Sequence, residues 1–152
     1  METYDMDEDS MDVLVEKFPE VLRKKIKNRE IILPKGTKYN YKKIHTYRAI
    51  ARKENDFTDV SRDDFKSYFE LAKKPRKMPR GVKIENLPDY YGVSTFLNKE
   101  SVEQIMNFPN PNKKIAEGYV YCEGGPQYTN EQHVCWWLFE CADVSGYKLV
   151  KE

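Results

Sequence analysis

Apolar positions along the chain recur with two periods. Val13, Leu14 and Phe18, then Val21, Leu22 and Ile26, repeat at helical spacing, with Pro19 between the groups. A proline suits the first turn of a helix, where its missing N–H is not needed. The pattern predicts two short helices, the first capped by Ser10 and the second basic on its outer side. From residue 44 the period changes to two. Ile44, Thr46, Arg48 and Ile50 share one face; His45, Tyr47, Ala49 and Ala51 share the other. That alternation predicts a strand, and its Arg48 is expected to snorkel or to form a salt bridge.

The remaining segments follow the same logic. ILPKGTKYNY reads as strand, turn, strand from its Pro and Gly. SRDDFKSYFELAKK carries Phe65, Tyr68, Phe69 and Ala72 at helical spacing, behind Ser61 and Asp64 as an acidic capping box. YYGVSTFL is rich in β-branched and aromatic residues and predicts a strand. NKESVEQIMNF predicts a helix opened by Asn98 or Ser101, with Val102, Ile105 and Met106 inward. IAEGYVYC, HVCWWLFE and YKLV predict three closing strands in a meander, joined by the loops EGGPQYTN and ADVSG. Trp136 and Trp137 would face opposite sides of one strand and pack in the interior. The fold class is α+β, with short N-terminal helices and a mostly antiparallel mixed sheet.

Length and charge refine this. The 152 residues fit one domain over 13–152, preceded by an acidic, flexible tail at 1–12. The 26 basic and 25 acidic residues leave a net charge of +1, so no overall basic footprint for nucleic acid exists. Charge is nevertheless segregated. Residues 1–20 hold eight acids and one base; residues 21–43 hold nine bases and one acid. The two blocks can neutralise each other in the folded chain. A second basic run, KKPRKMPRGVK at 73–83, is a loop able to touch phosphate. The acidic start is unlike a secretory signal, and no apolar run is long enough to cross a membrane. Three cysteines without paired spacing fit a reducing cytoplasm.

Most recognised chemistry is missing from the sequence. The GxSxG elbow, the P-loop and the GxGxxG fingerprint are absent. His133 and Cys135 point the same way on a strand, with Cys122 and Cys141 as further thiols, but no zinc spacing occurs. Asp56, Asp59, Asp63 and Asp64 lack the pattern of a calcium loop. Cys135 lies between Val134 and Trp136, where burial keeps a thiol protonated. No metal is expected.

One ordered set remains. Arg48 lies in HTYRAI, Ser94 and Thr95 in YGVSTF, and Glu131 where a loop enters the strand of HVCWWLFE. In that order they resemble the ADP-ribosyltransferase-like superfamily over about residues 44–150. Ala49 stands where the family often has Gly, Phe96 replaces the last Ser of an STS-like motif, and His133 follows Glu131 by two. The resemblance implies two small sheets split around a cleft in which Arg48, Ser94 and Glu131 meet, and NAD as substrate. It further implies Glu131, Arg48 and Ser94 as catalytic residues, with Glu131 stabilising positive charge on the ribose. Arg48, Ser94, Thr95, Tyr91 and Phe96 would contact NAD, Arg48 through its paired donors and the rings by stacking. The acceptor of ADP-ribose would be a macromolecule or water. The alternative is a small non-catalytic binding or inhibitor protein that recognises a protein partner through charged and aromatic patches. A third possibility is nucleic-acid binding through 21–43 and 73–83.

Overall fold

The computed structural model of the chain describes residues 13–72, 80–105 and 110–150. The acidic start with its Ser10 cap, Met106 and most of the basic run 73–83 lie outside the described residues. A helical turn at 13–15 leads to Pro19, which stands at the N-cap of helix α1, Glu20–Lys27. Lys24, Lys25 and Lys27 crowd the last turn of α1, where cations oppose the helix dipole. Lys24 pairs with Glu20 and Lys27 with Glu16, so some of the early acids do neutralise the basic block. Leu22 is buried, while Val21 stays on the surface.

Strand β1, Ile44–Ala51, is the alternating segment. It is followed by the single helical turn α2, Tyr68–Leu71, then strand β2, Val93–Phe96, and helix α3, Lys99–Ile105. Asn98 caps α3 by accepting the Ser101 N–H at 2.8 Å, and Val102 is its buried residue. Four strands close the chain: β3, Lys113–Val120; β4, Gln127–Asn130; β5, His133–Trp136; and β6, Lys148–Leu149.

The fold is α+β, with one six-stranded sheet in the order β4-β5-β2-β1-β3-β6. Its strand pairs are all antiparallel rather than mixed. β1 and β3 register along their full length, from Ile44 opposite Val120 to Ala51 opposite Lys113. β1 and β2 register only at Tyr47 opposite Phe96. The sheet therefore consists of two three-stranded halves, β4-β5-β2 and β1-β3-β6, joined at a seam of one residue pair.

Alternation divides the interior in two. Val134 and Trp136 enter one cluster with Ile50, Phe65, Val93, Val120 and Tyr147. Cys135 and Trp137 enter a second, with Phe18, Leu22, Ile31 and Tyr91. Both tryptophans are fully buried, one in each cluster. Each finds a carbonyl for its indole N–H: Gly125 for Trp136 and Pro88 for Trp137.

Several sequence expectations need correction. The closing strands form no meander, because β1 intervenes and takes β3 as its partner while β5 pairs with β4 and β2. The predicted loop EGGPQYTN contains β4. Before β4 the chain turns at Gly125, whose φ is 137° and where a Cβ would stand 2.0 Å from the Trp137 carbonyl oxygen. Only glycine fits that turn. ILPKGTKYNY makes one isolated bridge, Lys38 to Gln127, instead of two strands. Its backbone turns at Pro34 to Thr37 and spends its remaining hydrogen bonds on the edge of β4. SRDDFKSYFELAKK is a 3-10 turn, Arg62–Asp64, followed by α2 rather than one helix. Ser61 and Ser67 each form a capping box, and two starts six residues apart break the helix between them. The break sends Phe65 into the core. Ile105, expected inward, is on the surface.

Candidate functional site at the seam

Beyond Tyr47 and Phe96 the strands part, and Arg48 fills the opening. Its Nε donates to the Asp64 carbonyl at 2.9 Å and its Nη1 to the Ser94 carbonyl at 2.7 Å. The guanidinium also lies 5.4 Å from the centre of the Phe65 ring. Burial pulls Arg48 down to about 10, with Tyr147 and Asp64 pulling the other way, so it stays charged at neutral pH. Among the described residues Arg48 forms no salt bridge, contrary to one of the two expectations for it. The enclosed ion pair belongs to its neighbour Arg52, which grips both carboxylate oxygens of Asp64 at 2.7 Å. Asp64 accepts there, and its backbone carbonyl accepts from Arg48, so one residue anchors both arginines.

Ser94 meets Arg48 through its backbone, not its hydroxyl. Alternation sends the Ser94 side chain to the other face, where Oγ lies 2.9 Å from Nε2 of His133. Phe96, on the same face, stands opposite His133 in the register and touches its ring at 5.3 Å between centres. Burial lowers the pKa of His133 below its ordinary value, with Asp89 acting weakly in the opposite direction. His133 is therefore neutral at pH 7.

Glu131 lies one step further out. The pairing of Asn130 with His133 leaves Glu131 and Gln132 as a two-residue hairpin loop. Glu131 has φ 57°, the left-handed region, and is exposed. Two-residue hairpin loops demand positive φ and favour Gly, Asn or Asp, because a Cβ there crowds the following carbonyl. Among the described residues Glu131 has no hydrogen bond and no ion pair. With Phe96, Gln132 and His133 it lines a hollow of about 230 Å³ that reaches Ser101 and Gln104 of α3.

The ordered trio is thus brought only partly together. Arg48 and Ser94 touch across the seam; the Ser94 hydroxyl reaches His133; His133 and Glu131 share the hollow. Glu131 does not contact Arg48 or Ser94. Thr95 is fully buried, with its hydroxyl on the Val134 carbonyl at 3.0 Å. Tyr91 is buried against Phe69 and Tyr90 and donates to the Glu85 carbonyl at 2.8 Å. Of the residues that the resemblance would bring to NAD, Phe96 presents a ring to the hollow.

The link through His133 was not readable in the sequence. Its position two beyond Glu131 was visible, but its partner depends on the register of β5 against β2. Other candidates sit apart. Among the described residues no cluster of His, Cys, Asp and Glu is arranged to hold a metal. The three cysteines are free, and burial pushes the Cys135 thiol well up. A larger cleft of about 610 Å³ lies beside α1, lined by Phe18, Ile26, Ile31 and Ile32 with Lys27 and Arg29 among them. Among the described residues no helix is long and apolar enough to cross a membrane. No protein-family model matches the chain, and no curated protein or solved structure does either.

Proposed function

We propose that the chain is an NAD-cleaving enzyme of the ADP-ribosyltransferase-like kind, acting in a cytosol and passing ADP-ribose to a macromolecule or to water. The observation that carries this reading is the seam. One six-stranded sheet narrows to a single residue pair between two three-stranded halves, and Arg48 bonds the Ser94 backbone there. This supports the reading as a partial likeness to the split sheets that the resemblance implies, with no shared cleft among the described residues and with Glu131 apart from both. In this reading Arg48 is a strut that fixes β2, since its bonds to Asp64 and Ser94 already occupy it. Phe96 offers the nicotinamide ring a stacking face. Glu131 supplies the carboxylate that stabilises the positive ribose as the bond to nicotinamide breaks. The left-handed backbone of Glu131 supports the assignment, because a strained residue without a partner contributes nothing to stability.

The test is proton NMR of NAD mixed with the protein, using saturation transfer and then hours of observation. The expected result is saturation of NAD signals and growth of free nicotinamide, lost in Glu131→Gln with the fold intact. Absence of both signals in the wild type would sink the proposal.

A second reading rests on a different face. His45, Tyr47 and Tyr119 form an edge-to-face cluster with Lys43 over Tyr119 at 4.5 Å, and Tyr119 is 43% exposed. Exposed aromatics of this kind anchor protein partners. A non-catalytic binding protein would use this face and leave NAD untouched.

A further inference from the structure

We propose that His133 is the base that takes a proton from water at the hollow, which makes hydrolysis of NAD, rather than transfer to a macromolecule, the main reaction of this site. The proposal rests on the NAD-cleaving reading and names its acceptor. It begins from a geometric asymmetry of the imidazole. Nε2 is held by the Ser94 hydroxyl at 2.9 Å. Nδ1 has no hydrogen-bond partner among the described residues, and the one buried side-chain nitrogen or oxygen without a partner there is Arg62 Nε. Nδ1 is therefore not sealed from solvent, on a half-buried residue that lines the hollow. In the proposed tautomer Nε2–H donates to Ser94 Oγ and Nδ1 carries the lone pair that a base needs; with the hydroxyl donating instead, the proton would sit on Nδ1.

The surroundings suit water as the nucleophile. The hollow of about 230 Å³ is lined by Glu131, Gln104, Asn130, Gln132 and Ser101, with Phe96 and Ile105 as its apolar part. A site of that volume, rich in polar groups, holds several waters, each needing two to four such partners. The charged groups that face His133 are Glu131 in the hollow and Asp89 at longer range. Both are acidic, and neither takes the proton position at Nδ1. In the step itself a water oxygen forms a bond to the anomeric carbon of the ribose. The bond from that carbon to the nicotinamide nitrogen breaks, and its electron pair leaves with neutral nicotinamide. The water proton passes to Nδ1 and then to solvent. NAD and water give ADP-ribose, nicotinamide and one proton.

The experiment compares wild type, His133→Gln and Ser94→Ala, with folding checked by circular dichroism. Nicotinamide release is followed from pH 5 to 8, and the 15N shifts of the His133 ring are recorded over the same range. The wild-type rate should fall on the acid side as His133 is protonated, with a midpoint below the ordinary histidine value. His133→Gln should slow release at least tenfold and abolish that acid limb. Ser94→Ala should mix the two ring tautomers, a change that a merely structural serine would not produce. Wild-type cleavage with an unchanged rate and profile in His133→Gln would overturn this inference while leaving the NAD-cleaving reading in place. A ring locked with its proton on Nδ1 would overturn it too. No cleavage by the wild type would remove both.

Discussion

Arg48 and Glu131 come from the same ordered set, yet the structure treats them in opposite ways. Arg48 is enclosed, holds two backbone carbonyls and lies against an aromatic ring. Glu131 is exposed, has no partner among the described residues and sits in a backbone conformation its side chain disfavours. Arg48 serves the architecture of the seam, whereas among the described residues nothing holds the Glu131 side chain. Charged residues deep in a fold and charged residues on strained turns therefore deserve different experiments, even when a motif names them together.

The largest effects expected are at Arg48 and at the neighbouring pair. Arg48→Met leaves the part-buried Asp64 and Ser94 carbonyls without their donors and should cost about 2 kcal/mol. Urea unfolding would show it, and a wild-type midpoint would break the contrast with Glu131. The pair is Arg52 with Asp64. Burial pushes the Asp64 carboxyl up, but the Arg52 hydrogen bonds and the Ser61 N–H outweigh it and hold the group below its ordinary 3.8. Asp64 therefore contributes stability above that pH, lost as pH falls through its lower folded value. Asp64→Asn should cost about 2–3 kcal/mol at pH 7 and flatten the acid side of the stability curve, measured by unfolding between pH 2 and 7.

A smaller effect tests how tightly the half-sheet beneath the hollow is packed. At Gly92 an added Cβ would stand 2.3 Å from Cys135 Sγ. Gly92→Ala should cost about 1–2 kcal/mol in displaced side chains, read as a lower melting temperature. The smallest effect has the opposite sign. Glu131→Gly relieves the left-handed strain and should stabilise the fold by up to about 1 kcal/mol while ending nicotinamide release. A variant that is more stable but inactive would sharpen the comparison, and a destabilised one would show that Glu131 was structural after all.

Much of the local structure was legible in the sequence, and the reason is physical. The alternation of β1, the Asn98 cap of α3 and the opposed tryptophans at the end of β5 and just beyond it depend on neighbours in the chain. Near neighbours obey the two short periods that backbone geometry sets. The helix expected at 61–74 failed because Phe65 is recruited by a distant core, and tertiary burial outweighs a marginal helical preference. β4 escaped notice because Gln127, Tyr128, Thr129 and Asn130 show no apolar alternation; their partners across β5 make them a strand.

The site divides along the same line. By itself the sequence determined which residues carry charge, which faces alternate, and the order Arg48, Ser94, Glu131. Tertiary structure decided what those residues touch. The sheet order, the one-pair seam, the Arg48 bonds to Asp64 and Ser94, and the Ser94–His133 contact all join residues at least 16 positions apart. Such contacts follow from strand register, and register is settled by the packing of both faces at once rather than by any local pattern.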